Sequence, residues 1–233
     1  MKISAVVPTL NAARHLGPCL DRLSEADEII VVDGGSADAT LHIVRGRAAR
    51  LIQCPAGRGA QLAAGAEAAR GDALLFLHAD TRLAPGWSEA ARAHLQRCEQ
   101  SACFRFRLDD RAWQARLIER GVALRSGLLG LPYGDQGLLV RRDIYLRAGG
   151  FRSLAMMEDV EILQRLGRPV ILPIDAVTSA ERWRRDGWWR RSAVNLACLL
   201  LWKAGVSPER IAALYHKPRR ALPSLRARVS PPR

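Results

Sequence analysis

The sequence predicts an α/β fold, a largely parallel central sheet flanked by helices, and three observations predict it. Short apolar runs recur at Ile3–Val7, Glu28–Val32 and Ala73–Leu77. Each is followed by turn residues and then by a stretch with helical spacing, the alternation that builds βαβ units. The chain of 233 residues is 48% apolar and 25% charged, an ordinary globular balance large enough for one α/β domain with appendages.

The elements follow in order. Helical spacing covers Asn11–Leu23, Ala37–Arg47, the Ala-rich stretch Gly59–Arg70 and Pro85–Arg97. Later strands are expected at Cys103–Leu108 and Gly137–Val140, and later helices at Ala112–Leu124, Glu158–Leu166 and Ser192–Lys203. Ser207-Pro208-Glu209 is a helix start, a capping Ser with Pro at the first helical position. These elements divide the chain into a main domain, 1–181, a Trp/Arg-rich helical extension, 182–216, and a basic, fraying tail, 217–233.

The net charge of +13 is uneven. From Arg182 to Arg233 there are 13 basic and 2 acidic residues, +11, against 23 basic and 21 acidic residues before it, +2. A basic C-terminal segment implies an anionic partner: a membrane surface, nucleic acid or a phosphorylated substrate. Trp183, Trp188, Trp189 and Trp202, four of the six tryptophans, fall there among arginines. Such a segment docks on an anionic membrane, packs on the fold with its arginines solvated, or forms a homodimer contact. No run reaches the ~20 apolar residues of a membrane span. No signal peptide is visible, so a cytoplasmic protein is expected. Five cysteines without CxxC spacing suggest neither a zinc site nor a disulfide framework.

Several motifs fall at strand ends, where α/β sheets bind ligands. In Val6-Val7-Pro8-Thr9-Leu10-Asn11 the proline cannot continue a central ladder and Asn11 can cap the next helix. Asp33 closes a strand and precedes two glycines; such a carboxylate needs partners, and a base or ribose can supply them. Ser36 and Asp38 also read as helix caps. Arg58 between Gly57 and Gly59 suits a diphosphate or is a solvated loop residue. His78 and Asp80, two apart on an extended strand end, share a side and could hold a divalent cation. Glu158 and Asp159 open a helix whose dipole favours negative charge, and Asp159 could equally act as a general base.

The ordered set resembles the family 2 glycosyltransferases, which have the GT-A fold. The likeness rests on Pro8-Thr9-Leu10-Asn11, on Val31-Val32-Asp33-Gly34-Gly35-Ser36-Ala37-Asp38-Ala39-Thr40, on the Arg-Gly loop, on the strand ending in His78-Ala79-Asp80 and on Glu158-Asp159. The spellings LLFLHADT, YGDQG and MEDVE resemble a small bacterial subgroup, and that likeness reaches the Trp-rich tail. The resemblance implies donor contacts from Pro8, Thr9, Asp33, Arg58 and Asp80, with Asp33 on the base or ribose. It implies a manganese or magnesium ion on Asp80, with His78 in place of the first acidic residue of D-x-D. Asp159 matches the base of inverting members. Gly134, Asp135, Gln136, Glu158, Arg182 and Trp183 are placed on the acceptor side. The expected partners are a nucleotide-sugar donor, a UDP-sugar, and a lipid or other apolar acceptor on the inner face of the membrane. Nucleic acid is set aside. A dinucleotide oxidoreductase or P-loop NTPase would need glycine signatures absent here. The rivals are a sugar nucleotidyltransferase and a non-catalytic adaptor.

Overall fold

Strand β1 (Ile3–Thr9) is buried at every position. It lies between β2 (Glu28–Asp33) and β4 (Ala73–Phe76), parallel to both, and β3 (Arg50–Gln53) extends this sheet beyond β2, also parallel. The computed structural model describes residues 1–215; the expected basic tail, 217–233, lies outside them. Beyond β4 the sheet becomes mixed. β7 (Leu138–Arg141) is antiparallel to β4 and to β6 (Ala102–Leu108), β8 (Val170–Thr178) runs parallel to β6, and β5 (Thr81–Leu83) closes the edge antiparallel to β8. The order across the sheet is β3-β2-β1-β4-β7-β6-β8-β5.

Alternation along β1 builds two cores. Ile3, Ala5 and Val7 face α1 (Ala13–Arg22), α2 (Thr40–Arg45) and α4 (Trp87–Arg97), where Leu16, Leu20, Val44, Trp87 and Leu95 are buried. Val6 faces the other way, onto Leu62 and Ala66 of α3 (Arg58–Ala68), Tyr145 of α6 (Arg142–Arg147) and Ile162 of α7 (Glu158–Leu166). Helix α5 (Trp113–Leu129) packs on Phe106 and Leu108. The C-terminal helices α8 (Glu181–Asp186), α9 (Trp188–Lys203) and α10 (Pro208–Tyr215) are present, and the expected 181/182 boundary falls inside α8.

Three strands and two helices, β3, β5, β8, α6 and α8, were not expected. Pro173 and Asp175 interrupt the apolar run of β8, and the register against β6 shifts there, from Leu172 opposite Phe104 to Asp175 opposite Arg105. Helix α5 runs past Gly121 and Gly127 to a left-handed cap at Gly130, φ 62°. Helix α2 begins at Thr40 instead of Ala37, because the residues before it are spent in a loop that knits β1 to β2.

Candidate active site

Pro8 sits where β1 has lost β4 as a neighbour: pairing with β4 ends at Val6–Phe76, while pairing with β2 continues through Pro8–Val32 to Thr9–Asp33. Its missing N–H therefore costs the sheet no ladder bond on the β4 side. The loops that follow β1 and β2 hold each other. Asp33 is fully buried and accepts hydrogen bonds from the Thr9 hydroxyl (2.9 Å), the Gly35 N–H (2.9 Å), the Ser36 N–H (2.8 Å) and the Ser36 hydroxyl. Burial raises its pKa, and these donors outweigh burial and hold the carboxyl below its ordinary range. Asn11, at φ 51°, does not cap α1; its side chain accepts from the Ala37 N–H (2.9 Å). The first free N–H groups of α1 are satisfied across the gap instead, Ala12 by the Thr40 hydroxyl (2.8 Å) and Ala13 by Asp38 (3.0 Å). Gln61, a buried residue of α3, donates to the carbonyls of both Thr9 and Val32 (2.8 Å each).

Above this lattice lies a polar groove of about 570 Å³, lined by Pro8, Thr9, Asn11, Gly57, Arg58 and Asp80 among others. Asp33 is fully buried and is not among the residues that line the groove. Gly59 is obligatory on the opposite side, since a Cβ there would stand 2.2 Å from the Arg152 carbonyl. Arg58 opens α3, half-buried, with its Nε donating to the buried carboxylate of Glu158. Burial pulls the Glu158 pKa up and Arg58 pulls it down, with the net shift upward.

The His78–Asp80 expectation needs a correction. Strand β4 ends at Phe76, and the chain turns, with the Thr81 N–H donating to the His78 carbonyl (3.1 Å), so the two side chains are not the same-side pair of an extended strand. Both still reach one chamber of about 90 Å³ at the end of the groove, together with Arg58, Asp135, Asp159 and Arg182. The His78 imidazole packs on Gly134, where a Cβ would stand 2.4 Å from Nε2. Burial and then the Arg58 charge lower its pKa to about 4, so it is neutral, the form that binds metals. Arg182 Nη2 stands 3.9 Å from Asp80 Oδ2. Among the described residues no three His, Cys, Asp or Glu side chains gather as a metal cage. A magnesium-type ion is commonly held by one or two carboxylates and substrate phosphates, so Asp80 with His78 fits such an ion only when a diphosphate completes the set.

Met157, at φ 68°, throws the chain into α7 and presents Asp159 to the chamber. A non-glycine residue in the left-handed region is strained, and such strain concentrates at functional sites. Asp159 accepts from the Gly134 N–H (2.9 Å) and the Val160 N–H (2.8 Å), which fix its orientation. Asp135 reaches the same chamber, and its Oδ1 is buried with no hydrogen-bond partner among the described residues. Burial, helped by Asp80 and Asp159, raises its pKa to about 6. Gln136 does not reach the chamber. It is a buried peg, accepting from the Ser126 hydroxyl (2.8 Å) and donating to the Phe104 carbonyl (3.0 Å). Trp183 is buried against Phe106 and borders the chamber.

Sequence reasoning gave no role to Tyr133, the first residue of YGDQG, and missed Asn195 and the inward position of Arg191; all three line the chamber. Arg191 belongs to the run of arginines read as a solvated or membrane-facing surface. Its side chain is instead mostly buried, pairs with Asp186 at 3.7 Å and lies over the Tyr215 ring at 4.6 Å. The signal was present as spacing, because Arg191, Asn195 and Cys198 recur at i, i+4 and i+7 and so share one face of α9.

Three comparisons with known proteins bear on the fold and the family. In curated sequences, the lipopolysaccharide core biosynthesis glycosyltransferase LpsC of Rhizobium meliloti (strain 1021) is 27% identical over 159 residues, 63% of this chain and 50% of LpsC. The chain thus spans half the length of that relative. Among solved structures, S. aureus TarS superposes with a TM-score of 0.59 at 20% identity, covering 79% of this chain and 38% of TarS. Glucosyl-3-phosphoglycerate synthase from Mycobacterium tuberculosis, in complex with Mg2+ and uridine diphosphate, gives a TM-score of 0.53 at 23% identity over 76% of this chain and 70% of that one. These structures share the fold, the GT-A arrangement of a mixed sheet between helices. The model of glycosyl transferase family 2 matches residues 4–146, which takes in both loops of the groove, Asp80 and the chamber wall at Gly134–Gln136, and the chain belongs to that family.

Proposed function

We propose that the protein transfers a sugar from a nucleotide-diphosphate donor, a UDP-sugar, to an acceptor hydroxyl or carboxyl group by a single displacement that inverts the anomeric centre. The observation that carries this is one of convergence: Asp80 from the nucleotide-binding half and Asp159 from the second half line the same chamber, together with Arg58. A second solved form of TarS holds UDP-GlcNAc, with a TM-score of 0.58 over 76% of this chain.

In this reading the nucleoside lies along Pro8, Thr9 and the loop organised by Asp33. Arg58 spends its Nε on Glu158 and keeps its terminal nitrogens for the diphosphate. Asp80 and His78 would hold a manganese or magnesium ion, whose chemistry is to neutralise the charge of the departing diphosphate. Asp159 accepts the acceptor's proton as its oxygen attacks from the face opposite the leaving group. Asp135, Arg182 and Trp183 border the acceptor, and Gly134 holds Asp159. A thermal-shift screen of nucleoside diphosphates with and without manganese tests the donor half. A ligand at a hundred times its dissociation constant adds ~2.7 kcal/mol to the native state. A uridine diphosphate shift that deepens with manganese is expected; no shift with any nucleotide refutes the reading.

The same reading brings the enzyme to the cytoplasmic surface of the membrane as a peripheral protein, with a lipid or other apolar acceptor. No helix among the described residues is long and apolar enough to cross a membrane. Trp183 is buried and Trp188 and Trp202 are packed against cores, as the packing alternative expects for part of the segment, so the four tryptophans do not form one exposed belt. What supports docking is a smaller patch: Trp189, exposed beside Trp113 (ring centroids 5.9 Å apart), with Leu124, Leu128, Leu196 and Leu200 exposed near Arg190. Flotation with anionic but not neutral vesicles, lost at high salt, is the expected result, and absence from both vesicle fractions refutes docking.

A further inference from the structure

An apolar groove of about 520 Å³ runs between α5 and α9. Its walls are Leu117, Ile118 and Leu128 from α5 and Trp189, Leu196 and Leu199 from α9. At its inner end it shares Tyr133, Asp135, Trp183 and Asn195 with the catalytic chamber. The donor groove meets that chamber through a different set, Arg58, His78, Asp80 and Arg182. The three spaces therefore adjoin in series through shared walls, polar where the nucleotide would lie and apolar at the other end, with Asp159 lining the middle one.

Two features show that the described residues leave this groove open. Gly121 is an exposed glycine inside α5, where glycine is unfavourable compared with alanine. It lines the groove, and a Cβ there would meet nothing within 4 Å among the described residues, so close packing of those residues does not explain it. The second feature is where buried polar atoms lack partners. Asp135 Oδ1, Arg125 Nη2 and Trp183 Nε1, all on residues bordering the groove, find no hydrogen bond among the described residues. An apolar groove whose bordering residues carry unpartnered polar atoms, two of them, Asp135 and Trp183, at the chamber end, suits a ligand that is apolar along its length and polar at its tip.

Resting on the transferase reading, we infer that the α5–α9 groove is the tail site of the acceptor: it takes an acyl- or isoprenoid-like chain, whose polar end stands at Asp135 within the chamber that holds Asp159. The wall that groove and chamber share at Tyr133, Asp135, Trp183 and Asn195 selects this occupant over the others. A second copy of the chain has no reason to stop at the chamber. The chain's own C-terminal segment carries Leu222, Leu225 and Val229 among arginines and prolines, a poor match for a groove with almost no acidic wall.

The test uses the full chain and octyl, decyl and dodecyl β-glucosides below their micelle thresholds. Binding is read by tryptophan fluorescence and by displacement of anilinonaphthalene sulfonate. A buried tail gains about fourfold in affinity per methylene, so affinity should climb steeply along the series. Gly121→Trp should abolish the climb without lowering the melting temperature, because the new side chain enters open space. Leu196→Ser, on the facing wall, should flatten it. Equal binding of all three glucosides, with uridine diphosphate still bound, overturns the inference and leaves the transferase reading standing. Loss of uridine diphosphate binding overturns both. A climb that appears only in Leu222→Asp/Leu225→Asp assigns the groove to the chain's own tail, and a dimer that Gly121→Trp dissociates assigns it to a second copy; either result overturns the inference.

Discussion

The two sides of the catalytic chamber are built by opposite rules. On the donor side the residues of the two loops are tied down: Asp33 accepts four hydrogen bonds, Asn11 and Asp38 cross-link the two loops, and Gln61 clamps the ends of β1 and β2. On the acceptor side Asp135, Trp183, Arg125 and Arg191 each keep a buried polar atom without a partner among the described residues. Leu124, Leu128, Leu196 and Leu200 are more than half exposed. A common cofactor-like ligand such as a nucleotide can be met by a preorganised lattice. An acceptor has to bring its own atoms to satisfy the groups left open, and desolvated polar groups that only the right ligand satisfies are a source of specificity.

Asp159 stands where the two sides meet, so its removal should have the largest effect. Asp159→Asn keeps the shape and the bonds from Gly134 and Val160 but cannot take a proton. Transfer should fall ~10²–10⁴-fold while the affinity for uridine diphosphate is unchanged, as measured by single-turnover kinetics alongside calorimetry. Wild-type transfer by this variant would move the base elsewhere in the chamber. Next comes the donor lattice. Asp33→Ala orphans the Thr9 and Ser36 hydroxyls and two N–H groups at once, which should cost about 3 kcal/mol or more in urea unfolding as well as weakening nucleotide binding. Lost binding with unchanged stability would mean that Asp33 serves the ligand and not the lattice.

The same contrast explains what could be read in the sequence. The donor loops were legible because their chemistry is local: apolar runs ending in Pro8, Asp33 and Asp80 mark strand ends whatever the rest of the chain does. What the motif residues do there was less legible, because it depends on the neighbouring loop. Asn11 looked like the cap of its own helix, but it bonds Ala37, and α1 is capped by Asp38 and Thr40 from the next loop. On the acceptor side less could be read. The helix expected over Ala112–Leu124 runs on through Gly127 to Leu129, Gln136, expected on the acceptor side, is a peg under β6, and the tryptophan segment stayed open between membrane docking, packing on the fold and a dimer contact. Only packing separates Trp189 from Trp183, since both stand among arginines.

Asp135 offers a way to measure the openness of the acceptor side without any ligand. Its folded pKa, about 6, lies above the ordinary 3.8. Between those values the folded state holds a proton that the unfolded chain has released, so stability is highest below about pH 4 and declines as pH rises through 6. The displacement corresponds to roughly 3 kcal/mol of penalty for the ionised form. Asp135→Asn should remove it, raising the unfolding free energy by about 2–3 kcal/mol at pH 8 and leaving it nearly unchanged at pH 4. If the gain is absent at pH 8, a positive group such as Arg125 already compensates the carboxylate, and the acceptor side is better matched than its hydrogen bonds indicate.

The smallest effect probes the same openness through the backbone. Gly121 is a helical position where a Cβ would meet none of the described residues within 4 Å, and Val122 and Leu124, which follow it in α5, line the same groove. Replacing an exposed helical glycine by alanine narrows the unfolded ensemble and adds helix propensity, together worth about 0.5–1 kcal/mol. Gly121→Ala should therefore move the denaturant midpoint upward without changing the slope of the transition. A methyl group is too small to fill the groove, so amphiphile binding should persist, unlike in Gly121→Trp. Stabilisation with retained binding would show that the glycine serves an open groove at the expense of the helix. Destabilisation would show instead that something outside the described residues packs against α5 at this point, and the contrast between a satisfied donor side and an open acceptor side would then belong to residues 1–215 alone and not to the whole chain.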